Sequence, residues 1–334
     1  MKLGHDQAAR LLERIRGQKV AVIGDLMLDE YLFGEVNRIS PEAPVPVVRV
    51  VREYAVLGGA ANVAANLKAI GAEPILIGCL QDDRAGQRLL DLLTEQGIEV
   101  RGIVRDPSRP TIIKTRVIGQ QQQMLRIDRE ESGASSDATR MALSESLSRN
   151  LEGVGALIVS DYAKGTLEAA LLQKIQEQCL AAGVPWIVDP KPAHRDYYQG
   201  ATLMTPNTKE LTELTGLPAR TDEEVALAGR QLAENLGLAG LLITRSEKGM
   251  ALLTSDALHR EPWWIPTDAR EVFDVSGAGD TVIAVFSAAV ATGADWQDAA
   301  MLANAAAGIV VGKMGTATVT PQELLARFQA QEAR

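Results

Sequence analysis

The sequence is poor in the residues that carry disulfide, metal and redox chemistry. Among 334 residues there are two cysteines and three histidines, and aromatic residues make up 4%. Cys79 and Cys179 lie in apolar stretches, so they are predicted to be reduced core residues rather than a disulfide or metal pair. The histidines are scattered and form no ligand pattern. These scarcities argue against a disulfide scaffold and a histidine–cysteine metal centre.

The sequence also lacks an excess of positive charge and any long apolar run. Its net charge of −9 argues against a general nucleic-acid or anionic-membrane binder. The longest apolar run, residues 282–293, is too short to span a bilayer, and the charged N-terminus has no signal core. We therefore expect a soluble, cytoplasmic protein without nucleic-acid or membrane partners. Local cationic groups must hold any anionic substrate.

Hydrophobic residues make up 46% of the chain, enough for a large aliphatic core. Strand-like runs such as Lys19–Gly24 (KVAVIG) alternate with helix-like segments. This alternation predicts one α/β domain over residues 1–334, with a doubly wound, mostly parallel sheet flanked by helices. Two β-rich segments, about 31–52 and 100–129, interrupt it and are predicted to form a small β-sheet lid.

The turn after the first predicted strand excludes the most obvious rival, a dinucleotide-dependent oxidoreductase. That class requires G-x-G-x-x-G leading directly into a helix, and residues 24–29 read GDLMLD.

The most informative stretch is Asp274–Thr281 (DVSGAGDT), which precedes an apolar helix-like run. Glycine lets backbone N–H groups approach a ligand, and a helix N-terminus suits an anion. Asp280 lies in that first turn, where its carboxylate would repel a phosphate. Its position is explained if Asp280 takes a proton from a hydroxyl that attacks a bound phosphoryl group. The alternative is an acidic residue that complements the helix dipole.

Polar residues recur where predicted strands end. Asp25, Asp161, Asp189 and Asn207 all follow apolar strands. The carboxyl ends of parallel strands share one edge of a sheet, where ligands bind, so these residues are predicted to line one cleft. For Asp25 a plain turn residue is an equally open interpretation.

Two further patterns fit a nucleotide-binding side of this cleft. Asn207 and Glu210 share a helix face and suit Mg²⁺ held through water. A helix-capping pair is the other interpretation, and both can hold together. The polar turn from Thr244 to Gly249 suits a phosphate tail, or is a simple hairpin loop.

A glycine pair, Gly58 and Gly59, opens another predicted helix. Asn62, one turn further on, offers both a donor and an acceptor to a polyol. An ordinary glycine-led helix with small packing residues is the alternative.

In this order, these motifs resemble the ribokinase-like (PfkB) carbohydrate kinases over essentially the whole chain. Five segments further resemble the branch that phosphorylates a heptose 7-phosphate for lipopolysaccharide precursors: ISPEAPVPVV, LGGAANVAANLKAIGA, LRIDREE, DPKP and TPNTKE. The chain ends soon after the last kinase-like helix, as in the stand-alone form of that branch. Leu57 and Val282 depart from the common pattern, which has glycine and phenylalanine there. The first departure leaves details of the sugar loop open.

The resemblance implies a role for each matching position. The catalytic set is Asp280 as base with an anion hole formed by the amides of Gly277, Ala278 and Gly279. The ATP and Mg²⁺ set is Asn207, Glu210, Thr244, Ser246, Gly249 and, near the adenine, Asn304. The sugar-hydroxyl set is Asp25, Gly59 and Asn62. A monovalent cation is a further expected cofactor.

A substrate phosphate needs a cationic partner in this acidic chain. Lys191, just after a strand end between two prolines, is the first candidate, followed by Arg126, Lys114 and Arg116. A solvated strand face, or for Lys191 a surface turn, is the alternative.

The activity implied is ATP-dependent phosphorylation of the C1 hydroxyl of D-glycero-β-D-manno-heptose 7-phosphate to the 1,7-bisphosphate, by a homodimer formed through the lid. Another sugar-phosphate kinase of this family, for fructose or tagatose phosphate, and a non-catalytic sugar or nucleotide sensor are the alternatives.

Overall fold

The structure, a computed structural model, describes residues 3–120, 122–131, 133, 135–255, 261–269 and 271–332. The strands, in chain order, are β1 (Lys19–Gly24), β2 (Leu26–Ile39), β3 (Pro46–Gly59), β4 (Glu73–Leu80), β5 (Ile103–Arg105), β6 (Ile112–Gly119), β7 (Gln122–Arg129), β8 (Ala156–Ser160), β9 (Trp186–Asp189), β10 (Leu203–Met204), β11 (Gly240–Thr244), β12 (Met250–Thr254) and β13 (Trp263–Ile265).

The α-helices are α1 (His5–Ile15), α2 (Ala60–Ala69), α3 (Arg84–Glu95), α4 (Asp137–Asn150), α5 (Ala169–Ala182), α6 (Thr208–Thr215), α7 (Asp222–Leu236), α8 (Ala278–Ala291), α9 (Trp296–Val310) and α10 (Pro321–Glu332). Short 3₁₀ turns cover Pro192–Tyr197 and Ser246–Lys248. No helix within the described ranges has the length and apolar character needed to cross a membrane.

A large sheet forms the centre of the molecule, in the order β13-β12-β11-β10-β9-β8-β1-β4-β5. Its strands run in one direction except for β12, which pairs antiparallel with both β11 and β13. Both faces are covered, which explains why β1 is apolar after its first residue, Lys19: Val20 and Val22 join one core, whereas Ala21 and Ile23 join the other. Helices α1–α3 and α8–α10 cover the first face, and α4–α7 the second. The predicted doubly wound fold is confirmed.

A separate small sheet, in the order β3-β2-β6-β7, rises from the carboxyl edge of the large one. Asp25 alone separates β1 from β2, so the chain passes directly from one sheet to the other. β2 pairs antiparallel with β3 and parallel with β6. Side chains alternate along β2, so Asp29 and Tyr31 face one side, and Leu28 and Glu30 the other.

The predicted bounds of the small sheet need two corrections. Residues 103–105 were expected in it, but β5 pairs with β4 at the edge of the large sheet. Gly102 permits this, because a Cβ there would lie 2.3 Å from the Leu76 carbonyl oxygen. The prolines of segment 31–52 predict short strands, yet β2 and β3 are long, each of 14 residues. The prolines fit because Pro41 and Pro44 lie in the connection and Pro46 begins β3.

The sequence from residue 258 to residue 265 is strand-like and predicts a strand there. Strand β13 occupies Trp263–Ile265, and residues 256–260 lie outside the described residues.

The carboxyl ends of β1, β8, β9, β10 and β11 are neighbours in the sheet. Asp25, Asp161, Asp189, Asn207 and Thr244 therefore lie along one edge, as the sequence predicted.

Candidate active site

Asp280 is the third residue of α8 and is buried, with 4% of its surface exposed. Asn62 Nδ2 donates to one carboxylate oxygen at 2.7 Å, and the Tyr162 hydroxyl donates to the other at 2.8 Å. Burial raises the pKa of Asp280 to about 6, although the hydrogen bonds from Asn62 and Tyr162 lower it. A carboxylate with a pKa near neutrality can accept a proton from a substrate hydroxyl.

The helix start beside Asp280 offers free amides. Gly277, the N-cap of α8, has φ +77°, a conformation that favours glycine. The amide of Ala278 was predicted to join the anion hole, but it donates to the Val275 carbonyl at 3.2 Å. In the described part of the chain, the amides of Gly277 and Gly279 have no acceptor. An anion hole here therefore rests on those two amides and the helix dipole.

Asn62 and Gly59 were predicted to hold sugar hydroxyls, but in the structure they contact Asp280 and the backbone of Asp25. Asn62 is buried, and its side-chain amide is committed to Asp280. Gly59 caps α2 with φ +56°, and a Cβ there would lie 2.4 Å from the Asp25 carbonyl oxygen. Glycine is thus required where β3 turns into α2.

Asp25 is fully buried and holds a loop. Its carboxylate accepts hydrogen bonds from the amides of Tyr162 at 3.0 Å, Lys164 at 3.1 Å and Thr166 at 3.1 Å. Burial, and then the charge of Asp161, raise the pKa of Asp25. Sugar contact was predicted for Asp25, but both oxygens are occupied by the backbone that follows β8. A buried carboxylate is stabilised by such amides.

Asp29 is a cleft-facing carboxylate that the sequence reasoning missed. It is 5% exposed, lies on β2 and pairs with Arg116 at 2.7 Å. The available signal was its place as the single acidic residue in the otherwise apolar LMLD run that opens β2.

The two arginines predicted to bind the substrate phosphate are already paired. Arg116 is bound to Asp29 and lies over the Tyr31 ring, 5.3 Å from its centroid. Arg126 donates two hydrogen bonds, of 2.8 and 2.9 Å, to the carboxylate of Asp128.

The two candidate lysines converge on one aromatic ring. Lys114 Nζ, from β6, lies 5.4 Å from the centroid of the Tyr162 ring, and Lys191 Nζ lies 5.6 Å from it. Burial lowers the pKa of Lys114. Burial also opposes charge on Lys191, but Asp189 and Glu210 raise its pKa. Two ammonium groups thus lie around the residue whose hydroxyl touches Asp280.

The predicted Asn207–Glu210 pair forms a reciprocal cap at the start of α6. Asn207 Oδ1 accepts from the Glu210 amide at 2.9 Å, and Glu210 Oε2 accepts from the Asn207 amide at 3.1 Å. Glu210 Oε1 also binds Lys191 Nζ at 2.5 Å. Burial, and then the Glu210 charge, raise the pKa of Asp189 well above its usual value. These carboxylates repel each other, so a cation between them would be favoured.

The donor set limits how a cation can be held. In the described ranges no group of three or more His, Cys, Asp or Glu residues could enclose a metal ion. Mg²⁺ keeps several waters and uses few protein ligands beside substrate phosphates, so Asn207 and Glu210 fit it as water-mediated partners. Direct coordination by a protein cage does not fit.

The other residues predicted to bind the nucleotide, apart from Asn304, lie together in the turn from Thr244 to Gly249. Thr244 ends β11 and bridges to Asn207. Ser246 has φ +51°, and Gly249, with φ +86°, lies so close to Ile265 that a Cβ would meet its carbonyl oxygen at 2.1 Å.

Asn304, on α9, donates to the Pro266 carbonyl at 2.9 Å. It borders a cavity of about 420 Å³ together with Trp263, Thr267 and Met301. Ile265 and Thr267, which border the same cavity, contact Gly249, so the structure brings the 244–249 turn and Asn304 to one place.

A larger cavity, of about 670 Å³, lies on the opposite face of the small sheet beside α3. Leu28, Glu30, Arg84 and Arg129 border it, and it contains none of the predicted site residues. We place the chemistry at Asp280, because its buried base, free amides and paired lysines occur together.

A family model described as "pfkB family carbohydrate kinase" matches residues 17–323. The chain is 46% identical over 321 residues to the bifunctional protein HldE of Paramagnetospirillum magneticum, covering 96% of this chain and 65% of that protein. It is 46% identical over 306 residues to HldE of Geobacter sulfurreducens, covering 91% of this chain and 61% of that protein. The chain thus spans less than two thirds of these relatives.

Solved structures are similar in fold at low sequence identity. Phosphofructokinase-2 from Escherichia coli, in complex with potassium, superposes with a TM-score of 0.80 at 18% identity, covering 95% of this chain and all of that one. Ribokinase from Arabidopsis thaliana, complexed with ribose and ATP, gives a TM-score of 0.75 at 20% identity, covering 94% and 99% of the two chains.

Proposed function

Because the chain belongs to the pfkB family of carbohydrate kinases, and so is a phosphotransferase with an alcohol acceptor, we propose that its acceptor is the C1 hydroxyl of D-glycero-β-D-manno-heptose 7-phosphate. ATP is the donor, and the products are the 1,7-bisphosphate and ADP. The choice of heptose as the sugar rests on segments such as DPKP and TPNTKE, which resemble the branch of the family that phosphorylates heptose 7-phosphate. The structural observation that carries a phosphorylated acceptor is the pair of lysines around Tyr162, next to Asp280.

The geometry supports a single in-line displacement. The acceptor hydroxyl oxygen attacks the γ-phosphorus of ATP, and the bond from that phosphorus to the bridging oxygen of ADP breaks. The hydroxyl proton passes to Asp280. The amides of Gly277 and Gly279 stabilise charge on the phosphoryl oxygens. The bond formed replaces the bond broken, and no oxidant or reductant is needed.

Two cations complete the proposed site. Mg²⁺, when bound, offsets charge on the ATP phosphates, and Asn207 and Glu210 would hold it through water. A monovalent cation fits near Gly277. Thr316 Oγ1 is buried there without a hydrogen-bond partner among the described residues, and Asp274 supplies carboxylate oxygens close by.

The lysine pair distinguishes a sugar phosphate from a free sugar. Arg116 and Arg126 are paired with aspartates and Lys191 with Glu210, whereas Lys114 has no ion pair among the described residues. Lys114 and Lys191 are the better candidates for a second phosphate, because both lie at the Tyr162 ring beside Asp280. Lys191 would exchange Glu210 for the substrate phosphate, or contact both. A fructose or tagatose phosphate would satisfy the same charges and is the remaining alternative acceptor.

We expect Lys191→Met to raise KM for heptose 7-phosphate roughly 10- to 100-fold, the effect of losing one charge-assisted hydrogen bond. The unphosphorylated heptose should show little change in KM, because it has no phosphate to bind. Steady-state ADP release measures both.

The matched control is Lys209→Met, whose side chain is 85% exposed on α6 and lies 3.8 Å from Glu213. It should leave both KM values unchanged. Equal rises in KM for the phosphorylated and free sugars would contradict the assignment of Lys191 to the phosphate.

We also propose that the small sheet closes over the cleft as a lid, within a single kinase domain, and mediates a homodimer in the cytoplasm. Its strands expose apolar side chains at Val50, Val51, Leu125 and Ile127, between 46% and 56% each. Exposed apolar side chains of this kind favour burial against a second copy. A mass in solution close to the 35.8 kDa of one chain would contradict the dimer.

A further inference from the structure

Tyr162 has three contacts that no pattern in the sequence indicated. Its hydroxyl donates to Asp280 at 2.8 Å. Its ring lies within 5.6 Å of the ammonium groups of Lys114 and Lys191, measured to the ring centroid. Its amide donates to Asp25 at 3.0 Å. One side chain therefore touches the base and both lysines.

The loop that carries Tyr162 is fixed at several points. Asp25 accepts three of its amides, and Asp161 accepts the amide of Ala163 at 2.7 Å. Ala163 has φ +53°, which non-glycine residues seldom adopt, so the surrounding bonds must hold it there. Lys164 Nζ also pairs with Glu130 at 2.5 Å. A loop so restrained keeps the Tyr162 hydroxyl in one place.

Asp25 is buried, and its carboxylate accepts hydrogen bonds from this loop rather than from a group in the cleft. Its three hydrogen bonds go to alternate residues of the loop, 162, 164 and 166. This is the spacing that fixes the turn around the strained Ala163. The chain of contacts runs from Asp25 to the loop, from the loop to Tyr162, and from Tyr162 to Asp280.

We propose that Tyr162 is a positioning residue with two separable parts: its hydroxyl sets the orientation and proton affinity of Asp280, and its ring holds Lys114 and Lys191 where the substrate phosphate binds. The ring part rests on the proposed function, whereas the hydroxyl part does not. An ammonium over an aromatic face is attracted by the ring quadrupole, so the phenol orders both lysines before substrate arrives.

The hydroxyl part predicts how Asp280 titrates. A hydrogen bond donated to a carboxylate favours its charged form, so Tyr162 holds the pKa of Asp280 below the value that burial alone would give. The other groups facing Asp280 are Asn62 from α2, Asp29 from β2, Asp189 at the end of β9 and Lys191 just after it. Replacing Tyr162 with phenylalanine leaves those four groups in place and removes one donor.

Three variants separate the two parts. Tyr162→Phe keeps the ring and removes the hydroxyl, and Tyr162→Leu removes both. Tyr197→Phe is the matched control, because Tyr197 is 45% exposed and makes no contact with Asp280. All three are first checked for an unchanged circular dichroism spectrum and cooperative unfolding.

The first readout needs no sugar. The Asp280 carboxyl is titrated by ¹³C NMR in the parent chain, in Tyr162→Phe and in Tyr197→Phe. We expect the midpoint to rise by about one pH unit in Tyr162→Phe, the effect of losing one hydrogen bond to a charged group, and to stay in place in Tyr197→Phe. An unmoved midpoint in Tyr162→Phe would overturn the hydroxyl part, whatever the acceptor sugar proves to be.

The second readout uses heptose 7-phosphate and ATP. We expect the acid limb of the pH–kcat profile to move up by about one unit in Tyr162→Phe, with KM for the sugar phosphate changed less than about threefold. Tyr162→Leu should show the same shift of the acid limb, together with a KM for the sugar phosphate at least tenfold higher than that of the parent chain. Equal KM values in the two variants would overturn the ring part. A parent chain that turns over no sugar phosphate would instead refute the proposed function, and the NMR result would stand apart from it.

Discussion

Asp280→Asn is expected to fold and to bind ATP and the sugar phosphate, but to lose turnover by roughly 10²- to 10⁴-fold, the contribution of a general base. An amide cannot take the proton of the acceptor hydroxyl. The substitution is tolerated sterically, because the new carbonyl oxygen can accept from Asn62 and the new NH₂ can donate to the Tyr162 hydroxyl. The loss therefore appears in kcat and not in folding.

Rapid-quench measurement of ADP formation, together with thermal unfolding, tests this expectation. Asp298→Asn is the matched control, because Asp298 is also the third residue of its helix, α9, and its change removes the same charge from a helix start. Turnover should be unchanged in the control. Parental turnover in a folded Asp280→Asn variant would remove Asp280 from the role of base.

The kcat of the parent chain is expected to have a lower pH limit. Because the pKa of Asp280 is raised to about 6, mainly by burial, the fraction of ionised base falls as the pH drops below that value. A protonated Asp280 cannot accept a proton, so kcat should decline on the acid side of about pH 6.

Gly277→Ala is expected to lower kcat about 10²- to 10³-fold, the effect of disturbing an anion hole. A Cβ at Gly277 would lie 2.8 Å from Asn62 Nδ2, the atom that donates to Asp280. At φ +77° the methyl group also strains the backbone. Both effects displace the free amides and the base that act together on the transferred group.

The control for backbone strain is Gly183→Ala, at the end of α5. Gly183 has φ +65°, and a Cβ there meets no atom within 4 Å. It should cost about 1–2 kcal/mol of the free energy of unfolding, with kcat unchanged. Stability is measured by denaturant unfolding and kcat by ADP release. A Gly277→Ala variant that loses only that much stability, with normal kcat, would contradict the anion hole.

The fold was predictable from the sequence because the patterns that indicate strands and helices involve residues close together in the chain. Apolar runs such as β1 are buried on both faces, and Asn207 with Glu210 caps α6 by contacts only three residues apart. The motif around Asp280 was also readable, since glycines and an acidic residue at a helix start have a direct chemical meaning.

The direction of individual side chains was not predictable from the same signals. Asp25 reaches loop amides about 140 residues away in sequence. Asn62 reaches Asp280 over 218 residues. Tyr162 was passed over because a tyrosine after a strand end carries no pattern, and its importance comes from three partners on other elements. Such contacts depend on how the two sheets meet, which spacing along the chain does not specify.

The most direct test of the proposed function is the product formed from ATP, Mg²⁺ and D-glycero-β-D-manno-heptose 7-phosphate. ³¹P NMR and mass spectrometry of the reaction should show ADP and a heptose bisphosphate with the new phosphate on C1, formed faster than any product from fructose or tagatose phosphate. ATP consumption at the sugar-free rate with heptose 7-phosphate, or faster turnover of a fructose or tagatose phosphate, would contradict the account.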